Sequence, residues 1–467
     1  METYESLLAA VAADSGREVL NPATGEVIGH VAQHTEKDLD AAVEKAAAAQ
    51  KEWAKKSDEE HVALLMKAAD EVEQNAVALA EIICREQGKP LSGPGANFEA
   101  GAVVGWLRAT CATELKPEEI DLGDGKKATV HHRPVGVVGG VNPWNWPAMI
   151  ATWQFAPALR MGNSIVMKPA SDTPLSVLAT AHLVNKHLPE GLLTVLTGPG
   201  ALGGAISAHP GFAKITFTGS TETGKKIAEA ASQNLARLTL ELGGNDAGIV
   251  LPDVDGKEIA EGLFWGAFIN TGQTCACLKR LYVHEDVYDD VVGALVEVAK
   301  QMPMGDGMDE KNVLGPLTNE SQQKIVADLV QDAKNRGGNV LFEGEVAGGD
   351  KGFFHPLTLI DSLPADARLI TEEQFGPALP IIKYSDVDDA IEQANSVEVG
   401  LGASVWSKDP AKAAEVAARI EAGTVWINSH GTINPMAPFG GIKQSGYGVE
   451  FGVEGLKAFT VPQVIHS

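Results

Sequence analysis

Cys275 and Glu241 are the two residues of this 467-residue chain best suited to act together. Cys275 ends the run Phe268-Ile269-Asn270-Thr271-Gly272-Gln273-Thr274-Cys275, and Glu241 lies upstream in Leu240-Glu241-Leu242-Gly243-Gly244. A thiol attacks a carbonyl carbon, and a carboxylate can then activate water against the resulting thioester. Neither residue is diagnostic alone. A solitary Cys is most often a small core hydrophobe, and Glu-Leu-Gly-Gly also reads as a strand end and a turn.

The elements around them give the pair its weight. Residues 35–113 have helical composition, with proline only at Pro90 and Pro94. Ahead of them, residues 19–28 read as a hairpin turned by Asn-Pro and Thr-Gly. From residue 134, short apolar runs at 135–141, 163–168, 192–196, 213–218 and 238–242 alternate with helical segments. A second series follows at 248–251, 280–284, 379–384, 401–406 and 424–427, with helices expected at 286–301, 386–395 and 410–421. Alternation of this kind predicts parallel sheets wrapped by helices, hence two α/β domains joined near Gly243-Gly244. The boundaries expected are 1–115 with 135–243 for a cofactor-binding domain and 244–443 for a catalytic domain. Segments 116–134 and 444–467 fit neither series and are read as oligomerisation segments that pair across subunits.

Bulk properties narrow the function. A chain this long splits into more than one core. With 44% hydrophobic and 21% charged residues it is an ordinary globular composition. The net charge of −25 argues against nucleic acid as a partner. The opening Met1-Glu2-Thr3-Tyr4-Glu5 is acidic and no long apolar run follows, so neither a secretory signal nor a membrane anchor is expected. The four cysteines (Cys84, Cys111, Cys275, Cys277) are therefore read as free thiols of a reducing cytoplasm. No zinc spacing is present and no metal is expected.

Strand 213–218 runs into Gly219-Ser220-Thr221-Glu222-Thr223-Gly224-Lys225-Lys226. Glycines before a helix N-terminus suit a phosphate. The spacing is not that of the usual dinucleotide fingerprint. It matches seven positions of a P-loop, but Lys226 stands where Ser or Thr would hold Mg²⁺. A phosphohydrolase is thereby a weak alternative.

With these residues assembled, the chain resembles the aldehyde dehydrogenase superfamily over nearly its whole length. The resemblance rests on seven motifs in the family's order: Pro143-Trp144-Asn145-Trp146-Pro147, Lys168-Pro169-Ala170-Ser171, Phe217-Thr218-Gly219-Ser220-Thr221-Glu222, Glu241-Leu242-Gly243-Gly244, Gly272-Gln273-Thr274-Cys275, Glu372-Glu373-Gln374-Phe375-Gly376-Pro377 and Pro438-Phe439-Gly440-Gly441. It implies a Rossmann-like cofactor domain, a second α/β catalytic domain and a small β-hairpin arm for oligomerisation into a homodimer or homotetramer. The activity it implies is oxidation of an aldehyde to a carboxylic acid with NAD or NADP. Cys275 matches the family's nucleophile, Asn145 its side-chain oxyanion donor and Glu241 its general base. Trp144, Lys168, Ser171, Gly219, Ser220, Gly224, Leu242, Gly243, Glu373 and Phe375 match positions along the cofactor. Cys277 is either a bystander or a resolving thiol for Cys275.

Two finer expectations follow. Ser171 stands where NAD-preferring relatives often carry Glu, so a 2′-phosphate is not repelled and NADP is expected to be accepted. The matched pocket positions Trp146, Ile150, Trp153, Ile269, Thr274, Ile433 and Phe439 are apolar and partly aromatic, which suits a hydrophobic or aromatic aldehyde. Similarity to succinic semialdehyde dehydrogenases keeps that activity as an alternative, although Ile269 replaces the Arg those enzymes use. A non-catalytic nucleotide-binding protein of the same fold is the other alternative. Asn245-Asp246 follow the Gly-Gly pair where many relatives have Lys.

Overall fold

The computed structural model describes residues 1–346 and 351–467. The helical stretch resolves into four helices, Glu36–Trp53, Asp58–Gln74, Ala76–Gln87 and Ala96–Ala112. Ser57 caps the second in a reciprocal box with Glu60, and Gly88 ends the third in the left-handed region that glycine adopts without strain. The expected hairpin forms from Arg17–Leu20 and Val27–Val31, paired antiparallel.

Every apolar run of the first series is a strand. They build one sheet in the order Gly446–Tyr447, Arg237–Glu241, Lys214–Thr218, Val137–Val141, Ser164–Lys168, Leu193–Val195. All neighbours are parallel except the first pair. The chain begins at Val137–Val141, adds strands to one side, then returns and adds them to the other. The strand order thus reverses between Val137–Val141 and Lys214–Thr218, and in such sheets a crevice opens at the carboxyl ends of those two strands.

The second series builds a seven-stranded sheet centred on Asp246–Val250, Leu278–His284 and Ala378–Tyr384. It also contains Asn339–Glu343 and Thr358–Asp361, which the sequence pattern did not single out. Both are short, and Asn339–Glu343 is an antiparallel edge strand. Only Leu242–Asn245 separate the end of the last parallel strand of the first sheet from the start of the second sheet. The carboxyl ends of one sheet therefore meet the amino ends of the other, and Glu241 lies at that junction.

The segments expected to pair across subunits pair within the chain. Glu118–Gly123, Lys126–Pro134 and Thr460–His466 form a three-stranded antiparallel sheet. The tail 444–467 is also divided: Gly446–Tyr447 joins the edge of the first sheet beside Leu240–Glu241. Pairings across some 200 to 330 residues are set by tertiary packing and leave no local pattern. No helix among the described residues is long and apolar enough to cross a membrane.

Candidate active site

The segment that carries Cys275 is held in an unusual backbone path. Helix Gly256–Phe268 ends, and Asn270, Thr271 and Gly272 then take φ of 51°, 57° and 78°. Such left-handed residues cost energy unless their surroundings hold them. Asn270 Nδ2 donates to the carbonyl of Asn145 at 2.8 Å. Thr271 Oγ1 accepts from the Gly315 N–H at 2.9 Å. Gln273, wholly buried, donates to Asn270 O at 3.1 Å and accepts from the Thr318 N–H at 3.0 Å. A side chain at Gly272 would lie 2.3 Å from the carbonyl oxygen of Gly376, so only glycine fits there. The segment is thus fastened on both sides, and Cys275 emerges from it half-buried.

Two cavities meet at Cys275. The first, about 240 Å³, occupies the crevice at the strand-order reversal. Pro143, Trp144 and Asn145 follow strand Val137–Val141, and Thr218, Gly219 and Ser220 end Lys214–Thr218; both groups line it. Leu242, Gly243, Gln322, Ile325, Glu373, Phe375 and Cys275 complete the wall. Phe375 meets Trp144 edge-on at 5.3 Å. A Cβ at Gly243 would lie 2.3 Å from Glu373 Oε2, so the bare backbone there admits the carboxylate. Ser220 caps helix Thr221–Ala231, whose first turn faces the same edge. A crevice of glycine-lined backbone beside a helix N-terminus fits the pyrophosphate-bearing group of a dinucleotide.

The second cavity, about 560 Å³, lies on the other side of Cys275. Four of the chain's eight tryptophans, Trp106, Trp146, Trp153 and Trp265, line it with Phe98, Met149, Ile150, Ile269, Thr274 and Ile433. No Lys or Arg is among its lining residues. Trp146 donates through its indole N–H to Thr274 Oγ1 at 2.8 Å, which fixes the wall next to the nucleophile.

Most of the residues singled out from the sequence come together here. Trp144, Asn145, Gly219, Ser220, Leu242, Gly243, Glu373 and Phe375 line the first cavity with Cys275. Trp146, Ile150, Trp153, Ile269, Thr274 and Ile433 line the second. Phe439 does not line it but packs in one buried cluster with Trp146, Ile150 and Trp153, its ring 6.1 Å from Phe451, which meets Trp153 edge-on. Lys168 and Ser171 sit one strand along the same carboxyl edge, outside the first cavity. Lys168 Nζ donates to Pro169 O, and Ser171 Oγ to Gly198 O. Burial, and secondarily Arg17, holds the Lys168 ammonium below its ordinary pKa. Gly224 touches Leu242, where a Cβ would be 2.6 Å from a methyl carbon, so it serves close helix–sheet packing. Lys225 and Lys226 are exposed.

Glu241 is buried and lines neither cavity. Both of its carboxylate oxygens lack a hydrogen-bond partner. Burial raises its pKa well above the carboxylate range, and the nearby Glu450 raises it further; the Gly441 N–H lies close enough to oppose this weakly. Burial likewise lifts Cys275, with Lys279 opposing and Glu241, Glu373 and Asp246 adding to the rise.

Several supporting residues escaped the sequence reading. Lys89 is fully buried, pairs with Glu99 at 2.5 Å, donates to the Asn145 carbonyl at 2.8 Å and sits 3.4 Å from the Trp146 ring centroid. Burial brings its pKa down to about 8. Glu99 in turn accepts from the Ala148 and Met149 N–H groups at the start of helix Pro147–Arg160. Together they fix the loop that carries Asn145. The one local signal was a charged residue inside an otherwise helical, apolar stretch.

Comparison with known proteins agrees with this geometry. Residues 10–465 match the family model described as the aldehyde dehydrogenase family. A phenylacetaldehyde dehydrogenase of Pseudomonas fluorescens is 37% identical over 460 residues, covering 96% of this chain and 91% of that protein. Among solved structures, an NAD⁺ complex of an aldehyde dehydrogenase from Bacillus cereus superposes with a TM-score of 0.93 at 36% identity, covering 97% of this chain and 93% of that one. An NADP-dependent enzyme of E. coli gives a TM-score of 0.94 at 34% identity, with 97% and 95% covered. Fold, crevice and sequence agree: the chain belongs to the aldehyde dehydrogenase family, a family of NAD(P)-dependent oxidoreductases.

Proposed function

We propose that this enzyme oxidises an apolar or aromatic aldehyde to its carboxylic acid with NAD or NADP, through a thiohemiacetal and a thioester on Cys275. The observation that carries the reading is that Cys275 is shared by both cavities, with dinucleotide-suited backbone on one side and an aromatic chamber on the other.

The aldehyde enters the aromatic chamber and presents its carbonyl carbon to Cys275 Sγ. Attack by the thiolate moves charge onto the carbonyl oxygen. Asn145 and the Cys275 N–H are the donors we assign to that oxygen; losing one such donor typically costs about 2.7–4 kcal/mol of barrier. When bound, the nicotinamide ring supplies the hydride acceptor, and Trp144, Glu373 and Phe375 flank the crevice where it would lie. Glu241 then takes a proton from water as that water attacks the thioester, and Cys275 departs as thiolate with release of the acid. To do so the Glu241 carboxyl turns from its place beside Gly440 toward Cys275, a rotation its unpartnered oxygens permit.

The chamber's composition sets the substrate class. A ring or alkyl chain gains contact with four indoles, whereas a distal carboxylate finds no Lys or Arg on the walls. The succinic semialdehyde alternative is disfavoured for that reason. The decisive assay follows reduced nicotinamide absorbance with phenylacetaldehyde, other aryl aldehydes and succinic semialdehyde. Aryl aldehydes are expected to give the higher kcat/KM; a preference for succinic semialdehyde would overturn the assignment.

We infer also that NADP is accepted. Asp172, which could have repelled a 2′-phosphate, is drawn off by Arg17 at 3.0 Å and Asn319 at 3.0 Å. That leaves Lys168 and Ser171 on the carboxyl edge. Ser171→Glu should cut kcat/KM for NADP by about tenfold or more through like-charge repulsion, with NAD little affected. A strong NAD preference in the unmodified enzyme that the substitution leaves untouched would refute this.

For assembly, we propose a homodimer or homotetramer formed through the three-stranded sheet. Glu118–Gly123 is an edge strand there, and Ile120, Leu122, Val464 and Ile465 are exposed on that sheet. A light-scattering mass of a single 49.0 kDa chain would exclude it.

A further inference from the structure

We propose that Lys279 is a positioning residue that orients the Thr274–Cys275 peptide and holds Glu373 against the connector between the sheets, so that nucleophile, oxyanion donor and cofactor crevice are set by one buried cation. The proposal rests on the assignment of Cys275 as nucleophile.

Lys279 lies at the second position of strand Leu278–His284, and its side chain is 1% exposed. An ammonium is rarely buried without partners. Its Nζ donates to the carbonyl oxygens of Thr274 at 2.6 Å and Cys275 at 3.0 Å, and pairs with Glu373 Oε1 at 3.0 Å. Glu373 Oε1 also accepts from the Gly244 N–H at 3.3 Å. The Lys279 carbonyl is itself fixed by Gln374 Nε2 at 3.1 Å. One side chain thus fastens the nucleophile loop, the Glu373 loop and the Gly243-Gly244 connector.

The contact with Thr274 has a stereochemical consequence. In a trans peptide the C=O of one residue and the N–H of the next point in opposite directions. A cation on the Thr274 oxygen therefore aims the Cys275 N–H away from Lys279. It also polarises the amide, which strengthens that N–H as a donor to a developing oxyanion. Replacing the ammonium by a neutral chain leaves the Thr274 oxygen to the Cys277 N–H, at 3.2 Å, and weakens both the hold on the peptide and the donor.

Charge acts in the same direction. The groups facing Lys279 are Glu373 on its loop, Asp246 at the start of strand Asp246–Val250, and Cys275 and Cys277 on its own segment. Burial opposes its charge, but these partners outweigh burial and hold the ammonium above its ordinary pKa, so it stays charged. Around Cys275, Lys279 favours the thiolate, whereas Glu241, Glu373 and Asp246 oppose it. Removing Lys279 should therefore move the thiol's titration to higher pH. Removing the Glu373 charge should move it to lower pH.

The test measures carbamidomethylation of the Cys275 peptide by iodoacetamide against pH, using mass spectrometry, with neither cofactor nor aldehyde present. Lys279→Met is expected to slow alkylation about tenfold or more at fixed pH below the midpoint, because reactivity follows the thiolate fraction. Lys279→Arg should recover part of that loss. Glu373→Gln, at a half-exposed site that tolerates an isostere, should shift the midpoint the opposite way. In turnover, Lys279→Met should raise the cofactor KM as well as lower kcat, because Glu373 loses its anchor. An unchanged midpoint in folded Lys279→Met overturns the proposal. So does an upward shift in Glu373→Gln, which decides the matter if Lys279→Met does not fold. Aldehyde turnover surviving in Cys275→Ala would instead overturn the nucleophile assignment, a result the alkylation profiles cannot mimic.

Discussion

Replacing Cys275 with alanine is expected to lower steady-state aldehyde oxidation at least about 10⁴-fold, the scale on which covalent catalysts fail without their nucleophile. The loss should be complete in a further sense: no single-turnover burst of reduced cofactor survives, because the thiohemiacetal never forms. The neighbouring thiol cannot substitute. Cys277 is buried, lines neither cavity and directs its Sγ toward the Ile269 carbonyl at 3.9 Å. Cofactor binding should persist, since the walls contributed by Trp144, Glu373 and Phe375 are untouched. Fluorescence titration with NADP and stopped-flow absorbance separate the two effects. Residual turnover near a tenth of the original would show that another group attacks the aldehyde.

Glu241→Gln should behave differently. Acylation still proceeds, so a burst of about one reduced cofactor per site is expected, followed by turnover slowed about 10²- to 10⁴-fold. The amide keeps the shape of the carboxyl but cannot take the proton of the attacking water. A pH signature accompanies this. Burial and Glu450 raise the Glu241 pKa, so at low pH the group is protonated and inactive as a base. Steady-state turnover of the unmodified enzyme should therefore climb as pH rises through the raised pKa, and the variant should lose that climb. Rapid-quench measurement of acid release across pH checks both statements. Undiminished steady-state activity in the variant would remove Glu241 from the reaction.

The parts of the molecule that sequence could reveal are those encoded locally. The five parallel strands of the first sheet announce themselves as short apolar runs, clearest where the strand is buried on both faces, as with Ser164–Lys168, all five residues of which are buried. Cys275 and Asn145, which meet in one crevice, could be picked out because each stands in a contiguous motif, as does Glu241 at the strand end. Lys279 could not: it acts through carbonyl oxygens, and its partner Glu373 lies 94 residues away by their numbers in the chain. Glu450 meets Glu241 only because the tail returns to the first sheet. Phe439, a position its motif indicated for the pocket, packs in the same buried cluster as Trp146, Ile150 and Trp153 without being among the residues that line the cavity. Asn339–Glu343 was missed since an edge strand with polar ends lacks the continuous apolar signature.

The return of the chain to the sheet where it began has a consequence for dissection of the molecule. Tyr447 pairs with Leu240, next to the proposed base, and Thr460–His466 completes the sheet started by Glu118–Gly123. Neither half can be excised cleanly, because a fragment ending at residue 443 would strip a ladder from the very strand that ends in Glu241. Clipping the final two dozen residues should accordingly silence acid release, because it removes the strand paired beside Glu241.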